Sequence, residues 1–349
     1  MTRRRPERKT RVLAADAAGV EAAAALLQAG RLVAFPTETV YGLGAHALDA
    51  AAVERIFEAK GRPADDPVIV HLAEAAELDR VAKPSPTAWQ LADVFWPGPL
   101  SLVLPRRPEV PLQVTAGLET VGVRVPSHAV ANALLRASGL PVAAPSANLF
   151  GRPSPTTAQH VLDDLDGRID AVLDGGPTTV GLESTIVDLT SISPRLLRPG
   201  GVSAEAIEAA LGIHLHTASP FRDGPQAAPG MLPVHYSPRT PLTLITGRAA
   251  RSRLAHEVAL ELDRGRRVGV IALAEDLSML PDAVVTAEVG TWENAAGSAS
   301  RLFEAVRSLD RASVDVILAR DLADPETGLG RALADRLRRA AHRVLDSRD

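Results

Sequence analysis

The chain has 349 residues, of which 46% are apolar, and a formal net charge of −4. This length is comfortable for two domains, each with a buried core. Cysteine is absent, which excludes disulfides and thiolate metal sites and fits a cytoplasmic protein. No apolar run approaches the roughly 20 residues that a membrane-spanning helix needs, so we expect no membrane partner.

The first eleven residues, MTRRRPERKTR, carry six cations and one anion, a net charge of +5. With −4 for the whole chain, the remainder has a net charge of about −9, which argues against broad electrostatic wrapping of nucleic acid. Two interpretations of this segment stay open: a disordered, solvated tail and a weak contact with RNA.

The predicted elements of the first domain alternate between helices and short apolar strands. We expect a helix over 12–27 that stops at Gly30, a strand over 31–36 and a polar loop over 37–44. Asp49 is placed to cap the next helix, and Gly61 is placed to end it. Further strands are predicted over 67–72, 100–105, 121–126, 141–146, 171–176 and 184–190, with helices over 127–138 and 156–165. Short links between strands favour a mixed, twisted sheet.

A segment rich in proline and glycine over 214–241 has no periodicity and indicates a linker. Beyond it, strands are predicted over 242–246, 267–273, 284–289 and 315–320, with helices over 249–264, 293–309 and 326–343. This alternation predicts a compact α/β unit with a parallel sheet. The unit has neither G-x-G-x-x-G nor G-x-x-x-x-G-K-[ST], so it carries no nucleotide-site motif of its own.

Lysine is rare in this chain, with three among 38 cations, and Lys60 stands two residues from Arg62. Together with Asp66 and His71, this pair favours an anionic, phosphate-bearing ligand. Simpler explanations remain open. The two cations follow a helix and compensate its dipole, and His71 ends a strand.

Two further clusters also follow predicted strands. The loop Thr37-Glu38-Thr39, with Tyr41 after it, places hydroxyl and backbone N–H groups where ligands often bind, although an ordinary turn has the same composition. Arg124 is the single charged residue of the apolar strand VGVRVP. A buried cation needs a partner, so Arg124 is a clamp for a carboxylate ligand or a member of a structural ion pair.

The fourth cluster combines small polar residues and one cation: Ser146, Asn148, Ser154, Ser184 and Arg198. It is typical of a site for an oxygen-rich anion. Ser146 lies in PSAN and not in a G-x-S-x-G elbow, and no His spacing predicts a zinc site. The sequence therefore indicates a protein that binds and positions ligands without a covalent nucleophile, and it predicts no metal-ligating residue.

Seven motifs occur in an order that resembles the threonylcarbamoyl-AMP synthase family: FPTETVYGLG, KGRP, PGPLSLVL, VGVRVP, PSAN, ESTIVD and LLRPGG. The resemblance covers about 18–212, and APGMLPVHYSP with the unit after it is similar to the long, two-domain branch. It implies an α/β fold: a YrdC-like twisted mixed sheet with a central cavity, plus a smaller Rossmann-like C-terminal α/β domain. The implied domains are a basic tail (1–11), a catalytic domain (12–213), a linker closing over the active site (214–241) and a C-terminal domain (242–349).

The activity implied by this resemblance is that of a nucleotidyltransferase, L-threonylcarbamoyladenylate synthase. It makes threonylcarbamoyl-AMP and pyrophosphate from L-threonine, bicarbonate and ATP, with Mg²⁺ accompanying ATP. A separate tRNA-modifying threonylcarbamoyl transferase complex then uses the product beside the anticodon. If the basic tail contacts RNA, this activity implies that the RNA is tRNA and that the contact is weak. The interpretation as a solvated tail stays open.

The resemblance also assigns roles by matching motif. Lys60 and Arg62 are the implied catalytic residues. The implied threonine-binding residues are Thr39, His71, Arg124, Ala144 and Ser184. The implied ATP-binding residues are Arg62, Asp66, Thr120, Ser146, Asn148, Ser154, Arg198, His235 and Tyr236.

Two alternative functions stand beside this one. YrdC-like domains also occur in carbamoyltransferases, but those carry additional modules that this sequence does not show. A non-catalytic RNA-binding protein is the other alternative, and the acidity of the chain body argues against it.

Overall fold

The computed structural model describes residues 9–217 and 235–347. These residues divide into two compact units. The first unit comprises 9–150, 154–179 and 183–217, and the second comprises 151–153, 180–182 and 235–347. Most of the predicted basic tail, and the part of the predicted linker over 218–234, lie outside the described residues.

The first unit contains eleven strands among its described residues: β1 (Arg11–Ala14), β2 (Val33–Phe35), β3 (Gly42–His46), β4 (Ile69–His71), β5 (Leu100–Pro105), β6 (Thr120–Arg124), β7 (Val142–Ala143), β8 (Ala171–Asp174), β9 (Thr185–Asp188), β10 (Arg195–Arg198) and β11 (His216–Thr217). Its α-helices are α1 (Ala17–Gln28), α2 (Ala50–Lys60), α3 (Pro86–Phe95), α4 (Leu112–Thr115), α5 (Ala129–Ser138), α6 (Ala158–Leu165) and α7 (Ala204–Leu211), and a 3₁₀-helix spans Ala75–Arg80.

All eleven strands form one sheet in the order β1-β8-β2-β3-β7-β4-β6-β5-β9-β10-β11. The β4–β6 and β5–β9 pairs are parallel, whereas the β4–β7, β5–β6 and β9–β10 pairs are antiparallel. The prediction of a mixed sheet is therefore confirmed.

Helix α2 shows how local sequence determines an element of this unit. The Asp49 side chain accepts hydrogen bonds from the backbone N–H groups of Ala51 and Ala52 at the N-terminus of the helix. Gly61 ends the helix in the left-handed conformation, with φ 62°. These two caps fix the bounds of α2, and so the positions of Lys60 at its end and Arg62 just after it, as the sequence predicts.

Two local predictions in the first unit were wrong. Residues 12–14, expected to be helical, belong to the edge strand β1, which pairs with β8 more than 150 residues later in the chain. The segment expected to be a loop up to residue 44 already enters strand β3 at Gly42. Thr10, counted with the basic tail, is buried and donates its hydroxyl hydrogen to the carbonyl of Ile169.

Apolar side chains cover both faces of this sheet. A smaller cluster lies where α1 and α5 pack, and it includes Leu27, Phe35 and Leu134. A larger cluster gathers residues of α2, α3 and the central strands, including Ile56, Leu91 and Val123. The central strands β4 and β6 are thus held rigidly by burial.

The second unit is a five-stranded parallel sheet with helices between the strands. Its elements are β12 (Leu242–Thr246), α8 (Ala250–Asp263), β13 (Val268–Leu273), a 3₁₀-helix (Ala274–Met279), β14 (Val285–Gly290), α9 (Ala295–Arg311), β15 (Val316–Arg320), α10 (Gly328–Ala340) and β16 (Arg343–Asp346). The strand order is β14-β13-β15-β12-β16. The parallel α/β unit is confirmed, and the last predicted helix is shorter because its final residue, Arg343, starts β16.

Among the described residues, no helix is both long enough and apolar enough to cross a bilayer.

Candidate active site

The candidate site residues of the first unit lie at the two ends of the central strands β4 and β6. These strands are parallel, and the registered pair His71 and Arg124 stands at their carboxyl ends. Asp66 precedes β4, and Thr120 begins β6, at the opposite end. At about 3.3 Å per residue, Thr120 and Arg124 are about 13 Å apart along β6. We call the two sets the carboxyl-end group and the amino-end group.

Strand directions bring distant parts of the chain to the carboxyl-end group. Strand β5 is antiparallel to β6, β9 is parallel to β5, and β10 is antiparallel to β9. The start of β5, the start of β9 and the end of β10 therefore reach the same edge as His71 and Arg124. These positions hold Ser101, Ser184 and Arg198.

Arg124 is the centre of the carboxyl-end group. Its guanidinium is buried and donates a hydrogen bond from Nη1 to Thr39 Oγ1 at 2.9 Å and one from Nε to the carbonyl of Gly98 at 3.2 Å. Nη2 forms an ion pair with Glu38 Oε1 at 2.6 Å. The structural ion pair that the sequence left open is therefore present, and the same guanidinium is also placed at a strand end, where a carboxylate ligand could meet it.

Glu38 is as deeply buried as its partner. Burial by itself raises the pKa of this carboxyl group. Four contributions outweigh burial: the Arg124 charge, the Arg124 hydrogen bond and the backbone N–H groups of Glu38 and Ser127. Together they hold the pKa of Glu38 below its usual value. Glu38 is therefore ionised at neutral pH and balances the charge of Arg124.

His71 is an uncharged ring in this environment. Burial and the neighbouring Arg124 charge lower its pKa from 6.5 to about 3, against opposing contributions from Glu38 and backbone hydrogen bonds. The ring makes an edge-to-face contact with Phe35, with centroids 6.2 Å apart, and Nδ1 lies 3.3 Å from the carbonyl of Ile69. At neutral pH His71 offers hydrogen-bonding nitrogens without adding a second cation beside Arg124.

Ser184 is held from two sides. Its hydroxyl lies 2.8 Å from the Ser101 hydroxyl. Arg198 donates from Nε and Nη2 to the Ser184 carbonyl, at 3.2 and 3.0 Å, and Nη2 is also 3.3 Å from the Ser184 hydroxyl oxygen. Arg198, expected to meet ATP, thus also positions a residue expected to meet threonine.

Lys60 dominates the amino-end group. Its Nζ is buried and donates to the backbone carbonyls of Ser146 and Asn148, at 2.5 and 2.6 Å. Burial and the nearby Arg62 charge lower the pKa of Lys60 well below its usual value, although Asp66 and Asp164 oppose this shift. The interpretation as simple dipole compensation is insufficient, because Lys60 fixes the loop that carries both Ser146 and Asn148.

Arg62 and Asp66 form a buried ion pair in the same group, with Arg62 Nη2 3.0 Å from Asp66 Oδ2. Arg62 also donates to the carbonyls of Asp66 and Pro67, at 3.2 and 2.7 Å. Burial raises the pKa of Asp66 despite the charges of Arg62 and Lys60. The turn that leads into β4 is therefore built around the Arg62 guanidinium.

The remaining predicted residues of the first unit occupy defined positions. Ala144 donates its N–H to the carbonyl of Ile69 at the start of β4. Asn148 donates from Nδ2 to the carbonyl of Leu149 at 2.7 Å. Ser154 is fully buried and donates its hydroxyl hydrogen to Glu183 Oε1. Thr120 and Ser146 are half-buried.

Tyr41, which follows the Thr37-Glu38-Thr39 loop, makes structural hydrogen bonds. Its buried hydroxyl donates to the carbonyl of Gly176 at 2.7 Å, and the N–H of Gly175 lies 3.3 Å from its oxygen. Burial and the Asp174 carboxylate raise the pKa of Tyr41, so it stays protonated. The Thr37–Tyr41 loop is thereby fastened to the turn after β8.

His235 and Tyr236, predicted to bind ATP, lie in the second unit. Their rings pack edge to face with centroids 4.1 Å apart, and Tyr236 adopts φ 63°. The Tyr236 ring also contacts Phe303, and the Arg336 guanidinium lies 5.3 Å from its centroid. The motif thus packs against α9 and α10 within the second unit.

Three neighbours of the predicted site residues had no role assigned from the sequence: Glu38, Ser101 and Glu183. Each carries a weak signal in the sequence. Glu38 stands between two threonines after a strand, and Ser101 is the single polar residue of LSLVLP. Their partners come from other strands, so the sequence alone does not show what they contact.

Models of two families match the chain. The first, described as "Telomere recombination", matches residues 25–200, and the second, described as "Threonylcarbamoyl-AMP synthase, C-terminal domain", matches residues 202–342. A threonylcarbamoyl-AMP synthase of Bacillus subtilis is 47% identical over 322 residues, which cover 91% of this chain and 92% of that protein.

The chain belongs to the threonylcarbamoyl-AMP synthase family.

Two comparisons with Pyrococcus abyssi agree with this assignment. A threonylcarbamoyl-AMP synthase of Pyrococcus abyssi is 46% identical over 331 residues, covering 92% of this chain and 94% of that protein. The crystal structure of Pyrococcus abyssi Sua5 complexed with L-threonine superposes with a TM-score of 0.91 at 43% identity, covering 97% of this chain and all of that one. The family assignment therefore includes both units.

Proposed function

We propose that this chain is an L-threonylcarbamoyladenylate synthase, which converts L-threonine, bicarbonate and ATP into threonylcarbamoyl-AMP and pyrophosphate. The observation that carries the proposal is the carboxyl-end group. A buried Arg124, flanked by the Thr39 hydroxyl and an uncharged His71, stands at the end of β6 in a chain of this family. These groups suit the carboxylate and hydroxyl of threonine.

Threonine would bind at the carboxyl-end group. Arg124 would take its carboxylate in a charge-assisted hydrogen bond. Thr39, His71 and Ser184 would contact the remaining polar atoms, with the backbone at Ala144 nearby. The dense packing around these residues would select a small amino acid over larger ones.

ATP would bind along the amino-end group. Arg62 of this group would supply positive charge for phosphate oxygens, together with Arg198, which lies at the carboxyl-end edge but whose charge acts on Asp66. Lys60 holds the loop that presents Ser146 and Asn148. Asp66, Thr120 and Ser154 complete the set in the first unit. His235 and Tyr236 of the second unit would contact the nucleotide.

Mg²⁺ would enter with ATP. The described residues hold no cluster of three or more His, Cys, Asp or Glu side chains suited to a metal. Mg²⁺ commonly binds one or two carboxylates together with substrate phosphates, and Asp66 is the carboxylate of the amino-end group that fits this use. Its contribution would be to offset negative charge on the phosphates.

The reaction needs three things from the chain's own residues: orientation, charge stabilisation and exclusion of water. The neutral amine of threonine forms a carbamate with bicarbonate, and a carbamate oxygen then attacks the α-phosphorus of ATP as pyrophosphate leaves. Arg62 and Arg198 would stabilise charge on the transferring phosphate. No side chain forms a covalent bond to substrate, so the enzyme would be a nucleotidyltransferase that acts by positioning.

The product would serve tRNA modification. Threonylcarbamoyl-AMP is an activated, hydrolysable mixed anhydride, so a transferase must accept it promptly. We place the chain upstream of a tRNA-modifying threonylcarbamoyl transferase complex in the cytoplasm.

The direct test is pyrophosphate release by the purified chain with ATP, Mg²⁺, bicarbonate and each amino acid in turn. We expect release that requires both threonine and bicarbonate. Lys60→Ala and Arg62→Ala should each nearly abolish it, and Lys60→Met controls for loss of the side-chain stem. Wild-type turnover in either alanine variant, or release without threonine, would contradict the proposal. Tight tRNA binding without turnover would instead support the RNA-binding alternative.

A further inference from the structure

Glu38 pairs with the Arg124 guanidinium, which is the group that a substrate carboxylate would bind. Glu38 Oε1 lies 2.6 Å from Arg124 Nη2, and both side chains are buried. A carboxylate ligand that binds Arg124 would therefore share this guanidinium with Glu38.

An amino acid bound in this way brings its ammonium group close to Glu38. The α-amine is separated from the carboxylate carbon by a single atom. A substrate whose carboxylate meets Arg124 thus carries its charged nitrogen within the immediate surroundings of the Glu38 carboxylate. Burial disfavours the charged forms of both groups relative to the neutral amine and the neutral carboxyl group.

The proposed reaction requires the loss of a proton from that nitrogen. An ammonium ion has no lone pair and cannot form a carbamate, and at neutral pH free threonine is almost entirely protonated. A group inside the site that accepts this proton would remove a large part of the barrier.

We propose that Glu38 is the general base that takes the proton from the threonine ammonium before carbamate formation. The inference rests on the proposed function. Glu38 Oε accepts one proton from the ammonium, which leaves a neutral amine and a neutral carboxyl group. The nitrogen lone pair then forms a bond to the carbon of bicarbonate. The C–OH bond breaks, and the hydroxide leaves as water with the second amine proton, which gives the carbamate anion.

The electrostatics of the site change in the required direction when threonine binds. The pKa of Glu38 is held down by Arg124 against the effect of burial. A substrate carboxylate on Arg124 offsets that positive charge, so burial then raises the Glu38 pKa and strengthens it as a base. The other titratable groups that face Glu38 are His71 and His128, and burial lowers the pKa of both rings. They remain uncharged at neutral pH and do not compete for the proton.

The test is the pH dependence of kcat in Glu38→Gln, measured as pyrophosphate release at saturating threonine between about pH 7 and about pH 9.5. The variant keeps the size and a hydrogen-bonding group but accepts no proton. We expect kcat to lie far below wild type at neutral pH and to rise about tenfold per pH unit towards it, as the bound threonine loses its proton to hydroxide instead of to Glu38. Glu38→Asp should keep the wild-type pH profile at reduced kcat.

Glu74→Gln is the matched control, because the Glu74 carboxylate is exposed and pairs with the exposed Arg136. It should behave as wild type at every pH.

If Glu38→Gln differs from wild type by a constant factor across the range, or only in KM for threonine, Glu38 merely orients Arg124 and the proposal is wrong. Failure of the wild-type protein to release pyrophosphate would instead contradict the proposed function. Thermal unfolding of Glu38→Gln tests whether this variant folds. If it does not fold, the pH profile of Glu38→Asp decides, and a tenfold rise of its kcat per pH unit overturns the proposal.

Discussion

His71 combines a position beside a buried cation with an uncharged ring. Its backbone is registered with Arg124 on the neighbouring strand, and its ring contacts Phe35. A charged imidazole at this position would place two cations together away from water, which is costly. Burial of the ring and, after it, the Arg124 charge therefore lower the pKa of His71 to about 3.

The shift predicts how His71 makes stability depend on pH. The unfolded chain binds a proton on His71 near pH 6.5, whereas the folded protein binds it only near pH 3. Between these values the unfolded state holds more protons, so the His71 contribution to the free energy of unfolding falls as pH falls, by at most about 1.4 kcal/mol per pH unit. In His71→Gln this dependence should be shallower.

Urea unfolding at a series of pH values within this window measures the effect. His214→Gln serves as control, because the His214 side chain is 98% exposed, and it should keep the wild-type slope. An identical slope in wild type and His71→Gln would show that His71 is not buried in its neutral form.

At the residue scale, the sequence predicted the chemistry of the site better than its contacts. Lys60 and Arg124 stand out because one is rare and the other interrupts an apolar strand. Their partners could not be predicted: Lys60 binds carbonyls almost ninety positions away, and Arg124 pairs with Glu38. Such pairings are determined by sheet order, which local patterns do not encode.

At the scale of elements, close backbone approach shapes the carboxyl-end group. Gly200 follows β10 and lies against the segment 183–185. A Cβ at Gly200 would stand 2.3 Å from the carbonyl oxygen of Glu183 and 2.5 Å from the backbone nitrogen of Thr185. Arg198 and Ser184 can therefore pack together only because residue 200 has no side chain.

We accordingly expect Gly200→Ala to displace the segment that carries Ser184. Overpacking of this kind usually costs about 1–3 kcal/mol of stability, and here it should also raise the KM for threonine. Thermal unfolding and threonine titration measure the two effects. Gly122→Ala is the matched control, because a Cβ there has its nearest contact, Ile69 Cγ1, at an ordinary 3.4 Å. Equal behaviour of the two variants would contradict the packing argument.

Element predictions succeeded where the signal is local. The caps Asp49 and Gly61 define α2 within the sequence itself, and the apolar run 100–105 is strand β5 in full. Strand β3 was missed because Gly42 and Gly44 suggest a loop. Both residues pair with β2, and glycine is required at position 44 because a Cβ there would lie 2.9 Å from the Phe35 ring. That requirement comes from packing and leaves no local pattern.

At the scale of the whole molecule, the second unit includes two short segments from the first half of the chain, 151–153 and 180–182. Within this unit Ser237 donates its N–H to the carbonyl of Gly151 at 2.7 Å, Arg307 donates to the carbonyl of Pro153 at 2.5 Å, and Arg152 pairs with Asp310 at 3.2 Å. Pro153 directly precedes Ser154, a candidate ATP-binding residue.

Truncation near residue 216 should therefore weaken ATP binding. It removes His235 and Tyr236 as well as the partners of 151–153, which leaves the residues before Ser154 unrestrained. We expect the Kd for ATP to increase by about tenfold or more, equivalent to about 1.4 kcal/mol, and the Kd for threonine to change much less. Calorimetric titration of both ligands measures this, and an unchanged ATP affinity would remove any role of the second unit in nucleotide binding.

The long span of the Arg152–Asp310 contact, 158 positions along the chain, also has a consequence for synthesis on the ribosome. At about 5–20 residues per second, Asp310 is made some 8–30 s after Arg152. During that interval the strands of the first unit can pair, but the turn before Ser154 has not yet met its partners. A nascent chain should therefore acquire nucleotide affinity late, when its final helices emerge. An incomplete translation product would then withdraw little ATP from the cell.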